Sequence, residues 1–75
     1  MNKNQLKKII KQNIDSKEVK NIETDEWDSL SHLNILMELE KTFPRKITSI
    51  DGIAEANNYN KLKNILVSKK ILSND

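Results

Sequence analysis

The sequence has no cysteine, one glycine, one proline and three aromatic residues among its 75 residues. Without cysteine, the chain forms no disulfide, binds no metal through thiolates and has no thiol nucleophile. The scarcity of glycine and proline predicts long helices joined by short connections. A chain of this length forms one small domain, residues 1–75, with a modest core. Since that core leaves no room for both a deep substrate cavity and a catalytic apparatus, we expect a protein that is not an enzyme.

Long apolar runs are also missing. The opening residues, MNKNQLKKIIKQNI, lack the continuous apolar stretch of a signal peptide. Nothing in the chain approaches the roughly 20 apolar residues that a membrane-spanning helix needs. Together with the absence of cysteine, this pattern predicts a cytoplasmic protein without a membrane partner.

The net charge of +2 conceals an uneven distribution along the chain. Residues 1–22 carry a net charge of +4, residues 23–43 carry −5, and residues 44–75 carry +3. Because a nucleic-acid-binding protein concentrates positive charge at its working surface, the negative middle segment argues against a nucleic-acid partner. Four carboxylates of this segment stand directly before a serine: Glu23, Asp25, Glu26 and Asp28.

Apolar residues recur at helical spacing in three segments, and no segment alternates like a strand over a useful length. The spacing predicts a first helix over residues 3–14 and a second over residues 29–43, which Pro44 ends. A third helix begins at Tyr59, with Asn58 suited to be its cap, and runs through Leu66, with an extension to Leu72 left open. The chain is therefore predicted to be an all-α bundle.

Two connections join these helices. Residues 15–27 are mostly polar and are predicted to be a loop held to the core by Val19, Ile22 and Trp27. Residues 50–56 are predicted to form one or two helical turns, with Ser49 as their cap. The prediction is thus three main helices plus one short helix around a small aliphatic core.

The start of the second helix places a hydroxyl in an unusual setting. Asp28 is suited to cap the helix by accepting hydrogen bonds from free amides of the first turn. Ser29 then occupies the first helical position, where the helix dipole favours a negatively charged group such as a phosphate. The preceding carboxylates indicate a basic partner, because complementary charge speeds encounter and orients docking.

At this point the residues resemble a known family. The tripeptide D-S-L at 28–30, followed by a helix that ends L-E-x-x-F at 39–43, resembles the acyl carrier proteins. The longer stretch W-D-S-L-S-H-L at 27–33 is similar to the version found in small stand-alone carriers, and I-A-E at 53–55 is similar to their third-helix segment. The resemblance covers nearly the whole chain in length, helix order and motif placement.

The resemblance implies a non-catalytic carrier. Ser29 would receive a phosphopantetheine arm from coenzyme A, between the flanking Asp28 and Leu30, through a magnesium-dependent phosphopantetheinyl transferase. The thiol of the arm would carry acyl or aminoacyl groups as thioesters. Further partners would be a loading enzyme and acyltransferase or synthase clients, and the carrier itself would be a monomer.

Other side chains are assigned by position on the second helix and by the resemblance. The apolar residues of this helix are mostly expected in the core, and Trp27 is expected to cover the core near the serine. His32 is expected to be solvated. The side chains expected to contact partners are Glu26, His32, Asn34, Met37, Glu38, Glu40 and Lys41; those expected to line an acyl cleft are Leu33, Ile50, Ile53 and Ala54.

A catalytic or metal site is not expected around Ser29. Ser29, His32 and Asp28 lie on one helical turn, which lacks the independent placement that an oriented base and an oxyanion hole require. A single histidine without cysteine does not make a zinc site.

The sequence also departs from the carriers of fatty-acid synthesis. Those proteins are strongly acidic, and they usually have glycine at the positions of Trp27 and Pro44 and often glutamate at those of Asn34 and Lys41. The departures favour a specialised pathway that makes a modified sugar, a peptide-like product or another secondary metabolite. The alternative is a small basic helical interaction module or nucleic-acid-binding domain without a prosthetic group, which the isoelectric point near 8.9 and the terminal lysines favour.

Overall fold

Helices form the framework of the chain in the computed structural model, which describes residues 1–15, 17 and 19–73. The elements follow the order α1 (Lys3–Asn13), α2 (Ser29–Thr42), a short 3-10 helix (Ile53–Glu55) and α3 (Tyr59–Ser68). No strand occurs in these described ranges. The prediction of an all-α bundle with three main helices and one short helix is confirmed.

The first helix, α1, begins with a reciprocal capping box. The Asn2 side chain accepts from the Gln5 backbone amide at 2.8 Å, and the Gln5 side chain accepts from the Asn2 amide at 2.9 Å. Leu6 and Ile10, one turn apart, are fully buried where α1 packs against α2 and α3. Ile14 already has an extended backbone, so the helix ends one residue earlier than predicted.

The second helix, α2, buries one face and exposes the other. Ile35 and Leu39 are fully buried, so Ile35, which periodicity alone assigns to neither face, belongs to the core. The helix ends at Thr42, and Phe43 closes it by donating its amide to the Leu39 carbonyl at 2.9 Å. Pro44 follows at once, as the sequence predicts, because proline cannot continue the hydrogen-bond ladder.

The third helix, α3, ends before the apolar pair that could have extended it. Lys70 has a left-handed backbone with φ 60°, and Ile71 and Leu72 both donate their amides to the Leu66 carbonyl. This turn ends the helix at Ser68 and still buries Leu72 in the core. The extension of α3 to Leu72 is therefore wrong as secondary structure, although Leu72 is a core residue.

The segment between α2 and α3 is less helical than predicted. The short 3-10 helix covers only Ile53–Glu55, and Gly52, with φ 82°, stands at its start. Ser49 does not cap it; the Ser49 hydroxyl instead donates to the Arg45 and Lys46 carbonyls. The segment is held to the core by its buried apolar side chains, which are Ile47, Ile50, Ile53 and Ala56.

Aliphatic side chains from every helix meet at the centre of the bundle. Burying one such side chain stabilises the fold by about 1.5–3 kcal/mol, so a handful of them dominates a core of this size. None of the helices in the described ranges has the length and apolarity to cross a membrane. The largest fully buried side chains are Leu6, Ile10, Ile35, Leu39, Ile47, Leu62 and Leu66.

Candidate functional site

The loop before Ser29 is fastened to the start of α3. The first amides of a helix have no partner inside the helix, and here loop carbonyls accept from two of them. The Asn58 side chain caps α3 by accepting from the Lys61 amide at 2.8 Å, as predicted. These contacts place the end of the loop beside both α2 and α3. The interactions are Tyr59 N to Ile22 O (2.7 Å), Asn60 N to Glu23 O (3.2 Å), Trp27 N to Asn57 O (3.0 Å) and Asn58 Nδ2 to Thr24 O (3.3 Å).

A buried hydrogen-bond chain joins this loop, α2 and the short helix. Trp27 Nε1 donates to His32 Nδ1 at 2.9 Å, so Nδ1 is an acceptor and the neutral ring carries its proton on Nε2. That nitrogen then donates to the Ile53 carbonyl at 2.7 Å. Both ring nitrogens of His32 are therefore engaged away from Ser29.

The prediction that His32 is solvated and contacts partners is wrong. Only 4% of the residue is exposed, because the Trp27 ring stacks beside it with centroids 6.0 Å apart. The sequence did contain a signal: His32 lies three and seven residues before the buried Ile35 and Leu39, on the same helical face. The expectation that Trp27 covers the core is confirmed by its burial.

Asp28 caps α2 as predicted. Its Oδ1 accepts from the Ser31 backbone amide at 2.7 Å, and this bond, followed by one from the Ser31 side chain, lowers the pKa of the Asp28 carboxyl below its ordinary value. Ser29 occupies the first helical position and is exposed. Its hydroxyl thus lies at the positive end of the α2 dipole, in reach of solvent and of another protein.

The acidic cluster is partly engaged within the molecule. Glu26 pairs with Lys61 at 2.9 Å, and the hydrogen bond and positive charge of Lys61 lower the pKa of the Glu26 carboxyl. Glu23 pairs with Lys7 at 3.4 Å. Both pairs are exposed, so they stabilise the fold little and remain open to exchange with a partner's cations.

An open cleft of about 520 Å³ lies beside Ser29. Leu33 and Ala54 line it, as expected for the acyl cleft. The other lining residues are Ser29, Leu30, His32, Leu36 and Asn57. Ile50 and Ile53 do not line this cleft. Both are buried in the core, whereas Ala54 is exposed and lines the cleft.

Apolar surface continues along α2 away from the serine. Leu30, Leu33 and Met37 are 67%, 53% and 54% exposed, and their spacing puts them on one face. A second, smaller cleft adjoins the first through Leu33 and also includes Met37 and Lys41. The expectation that most apolar residues of this helix lie in the core therefore does not hold for Leu33.

The remaining residues expected to contact partners differ in accessibility. Asn34 and Lys41 are exposed and Glu38 is half-buried. Glu40 has a structural role that its position in the sequence does not reveal: its carboxylate accepts from the Arg45 amide at 2.6 Å and the Thr48 amide at 3.3 Å. Glu40 thereby anchors the loop that follows α2.

Searches of family models, curated proteins and solved structures found no match to the chain. Within the described part of the chain, no group of three or more histidine, cysteine, aspartate or glutamate side chains is placed to hold a metal ion.

Proposed function

We propose that the protein is a carrier whose Ser29 hydroxyl is esterified with phosphopantetheine from coenzyme A. The observation that carries this proposal is the position of Ser29: exposed, first in α2, next to the capping Asp28 and beside an apolar cleft. A phosphodiester on Ser29 would lie where the helix dipole favours negative charge. The hydrogen bonds around Trp27 and His32 support this role, since they hold the helix start in place without occupying the hydroxyl.

The cleft supports the choice of an acyl or aminoacyl cargo. An arm attached to Ser29 would run past Leu30 and Leu33, and an apolar acyl chain would shelter against Leu36 and Ala54. The exposed leucines and Met37 would serve the docking of a transferase, a loading enzyme and acyltransferase or synthase clients. Glu26 and the other carboxylates before Ser29 would meet basic surfaces on those enzymes.

The proposal extends to the setting in which the carrier acts. We place it in the cytoplasm as a monomer that serves a specialised biosynthetic pathway. In the loading step, the Ser29 oxygen would replace the nucleotide portion of coenzyme A on the phosphate of the pantetheine arm. The partner enzymes would perform the catalysis, and the carrier would present the substrate.

Intact mass spectrometry tests the proposal directly. Incubation with coenzyme A, magnesium and a broad-specificity phosphopantetheinyl transferase is expected to add one phosphopantetheine mass to the wild type. The Ser29→Ala variant is expected to stay unmodified, whereas Ser68→Ala, which removes a different exposed hydroxyl, is expected to be modified like the wild type. An unmodified wild type, or modification that persists in Ser29→Ala, would contradict the proposal.

A further inference from the structure

The end of α2 opposite Ser29 carries a pocket that is chemically different from the two clefts lined by Leu33. It has a volume of about 390 Å³, and we call it the basic pocket because Arg45, Lys46, Lys69 and Lys70 line it. Phe43 and Ile71 contribute apolar surface to the same pocket. Since α2 has 14 residues, the pocket lies about 20 Å from Ser29 along the helix axis. The carrier role proposed above does not use it.

The four cations come from two separate turns that the fold brings together. Arg45 and Lys46 follow α2, while Lys69 and Lys70 follow α3. The local sequence of neither turn predicts that the two turns lie next to each other. Their convergence is a tertiary feature, and it brings two pairs of positive charges to one pocket.

Hydrogen bonds from backbone amides hold both turns. The carboxylate of Glu40 anchors the first turn through the Arg45 and Thr48 amides, at 2.6 Å and 3.3 Å. The second turn is closed by amide donations from Lys69 to the Ile65 carbonyl and from Lys70 to the Val67 carbonyl. The cations therefore project from fixed backbone positions, which reduces the entropy lost when they bind a ligand.

Arg45 and Lys70 also adopt backbone conformations that favour glycine. Their φ angles are 68° and 60°, and they are the two non-glycine residues with positive φ in the described ranges. A side chain in this region costs conformational free energy that glycine avoids. Each of these strained positions carries a cation in the same pocket, and this coincidence indicates that the charges have a use.

No carboxylate in the described part of the chain forms an ion pair with any of the four cations. The carboxylate of Glu40, which interacts with the turn after α2, is bonded to the Arg45 and Thr48 backbone amides. Four like charges around one concavity repel one another, and a multiply charged anion relieves that repulsion. Arginine and lysine both bind phosphate oxygens well, arginine through paired hydrogen bonds.

We propose that the basic pocket binds a small molecule that carries a diphosphate. The two pairs of cations match two linked phosphate groups, and the Phe43 and Ile71 surfaces suit an apolar or planar part of the same molecule. A concave pocket fits a small ligand better than a nucleic-acid backbone, which is tracked by an extended basic groove or stripe. A second copy of the chain is disfavoured, because contact between its acidic segment and this pocket would be head-to-tail, and such contacts form open filaments unless the rotation closes a ring.

Titration with inorganic pyrophosphate, followed by amide NMR shifts, tests the proposal. Saturable binding of one pyrophosphate is expected, with shifts at residues 43–50 and 69–71, in both the wild type and Ser29→Ala. Binding to the Ser29→Ala variant tests the basic pocket independently of the carrier proposal, since this variant cannot be modified at residue 29. Absence of saturation, or shifts centred on residues 28–31 instead, would overturn the proposal.

A matched pair of charge variants gives the sharper comparison. Arg45→Gly/Lys70→Gly removes two cations from positions whose backbone suits glycine, so the fold is expected to unfold no earlier on heating than the wild type. Its pyrophosphate affinity is expected to fall by roughly tenfold or more, since two charge-assisted interactions are lost. Lys17→Gln/Lys20→Gln removes the same charge from exposed residues outside the pocket and is expected to change affinity less than about twofold. Equal losses in both variants would show non-specific attraction and overturn the proposal.

Two further titrations distinguish a diphosphate ligand from other anionic partners. Phosphatidylglycerol vesicles and a single-stranded oligonucleotide are each added at matched phosphate concentration and ionic strength. Tighter binding of pyrophosphate than of the vesicles or the oligonucleotide supports the proposal. Binding of vesicles or oligonucleotide that depends on Arg45 and Lys70, without saturable pyrophosphate binding, would overturn it in favour of that surface.

Discussion

The indole nitrogen of Trp27 lies 2.9 Å from Nδ1 of His32, and it donates a buried hydrogen bond that selects one tautomer of the histidine. The Nε2–H group of the His32 ring donates a hydrogen bond to the Ile53 carbonyl at 2.7 Å. The His32 side chain, on α2, thus connects the loop before Ser29 to the short helix that contains Ala54, a residue of the cleft wall. The start of α2 and the cleft are positioned by the same interaction.

Substitution of Trp27 by phenylalanine should destabilise the fold. The change removes the N–H donor and leaves His32 Nδ1 as a buried acceptor without its partner, which costs about 1–3 kcal/mol, in addition to the loss of ring contacts. Urea unfolding of Trp27→Phe, His32→Phe and the double variant measures the interaction between the two side chains. Strictly additive losses would contradict the hydrogen bond, as would ¹⁵N NMR evidence for a proton on Nδ1.

Acid should weaken the fold partly through Asp28 and Glu26. The pKa of each carboxyl is lower in the folded protein, through Ser31 for Asp28 and through Lys61 for Glu26. The stabilisation is therefore fully present above the unfolded-state pKa of about 4 and is lost as the pH falls through the lower folded-state pKa. Urea unfolding across this range should show a decreasing free energy of unfolding.

The Asp28→Asn variant provides the control for that titration. Asparagine caps helices as well as aspartate does but does not ionise, so the variant should lose less stability on acidification than the wild type. Coincident pH profiles for the two proteins would show that the Asp28 carboxylate contributes nothing to the acid sensitivity.

Removal of the α3 cap should cost more than an ordinary helix-surface substitution. Asn58→Ala loses the bond to the Lys61 amide at 2.8 Å and the bond to the Thr24 carbonyl at 3.3 Å, so we expect a loss of about 1–2 kcal/mol. Asn64→Ala on the exposed face of α3 should have little effect or stabilise slightly, because alanine favours helix. Thermal unfolding of the two variants measures the difference, and equal melting temperatures would contradict the role of the Asn58 cap.

Two leucines of α2 should respond differently to truncation. Leu39 is fully buried, and Leu39→Ala should destabilise by about 2–5 kcal/mol through lost burial and a cavity. Leu33 is 53% exposed, so Leu33→Ala should leave stability almost unchanged while it reduces the apolar wall of the cleft. Urea unfolding compares the two, and a large loss for Leu33→Ala would show that this side chain belongs to the core.

The anchoring role of Glu40 can be measured by hydrogen exchange. Glu40→Gln weakens the charge-assisted bonds to the Arg45 and Thr48 amides, so both amides should exchange faster. Glu38→Gln removes a neighbouring carboxylate with no such bonds and should leave the two rates unchanged. Unaltered exchange in Glu40→Gln would mean that the carboxylate does not hold the loop.

Much of the candidate site could be predicted because it depends on short-range rules. The cap at Asp28 and the first-turn position of Ser29 follow from side chains within three residues of one another. The stop before Pro44 and the cap at Asn58 are equally local. These predictions are confirmed because the interacting groups are fixed by helix geometry, whatever the rest of the chain does.

The errors concern residues whose surroundings come from distant segments. His32 is buried because Trp27 and the Ile53 carbonyl reach it from outside α2. Ile50 and Ile53 are buried in the core instead of lining the predicted cleft, because the segment between α2 and α3 packs these side chains against residues from distant helices. No spacing rule within one helix contains that information.

The sequence by itself determined where α1, α2 and α3 begin, that α2 stops before Pro44, and which hydroxyl stands at the start of α2. Capping and periodicity, which act between near neighbours, fix these features. Only the tertiary structure decided that His32 is a core residue, that Ala54 faces the cleft, and that Arg45 and Lys70 share a pocket. Those features depend on contacts between residues far apart in the chain, and such contacts exist only once the apolar faces of the helices have packed together.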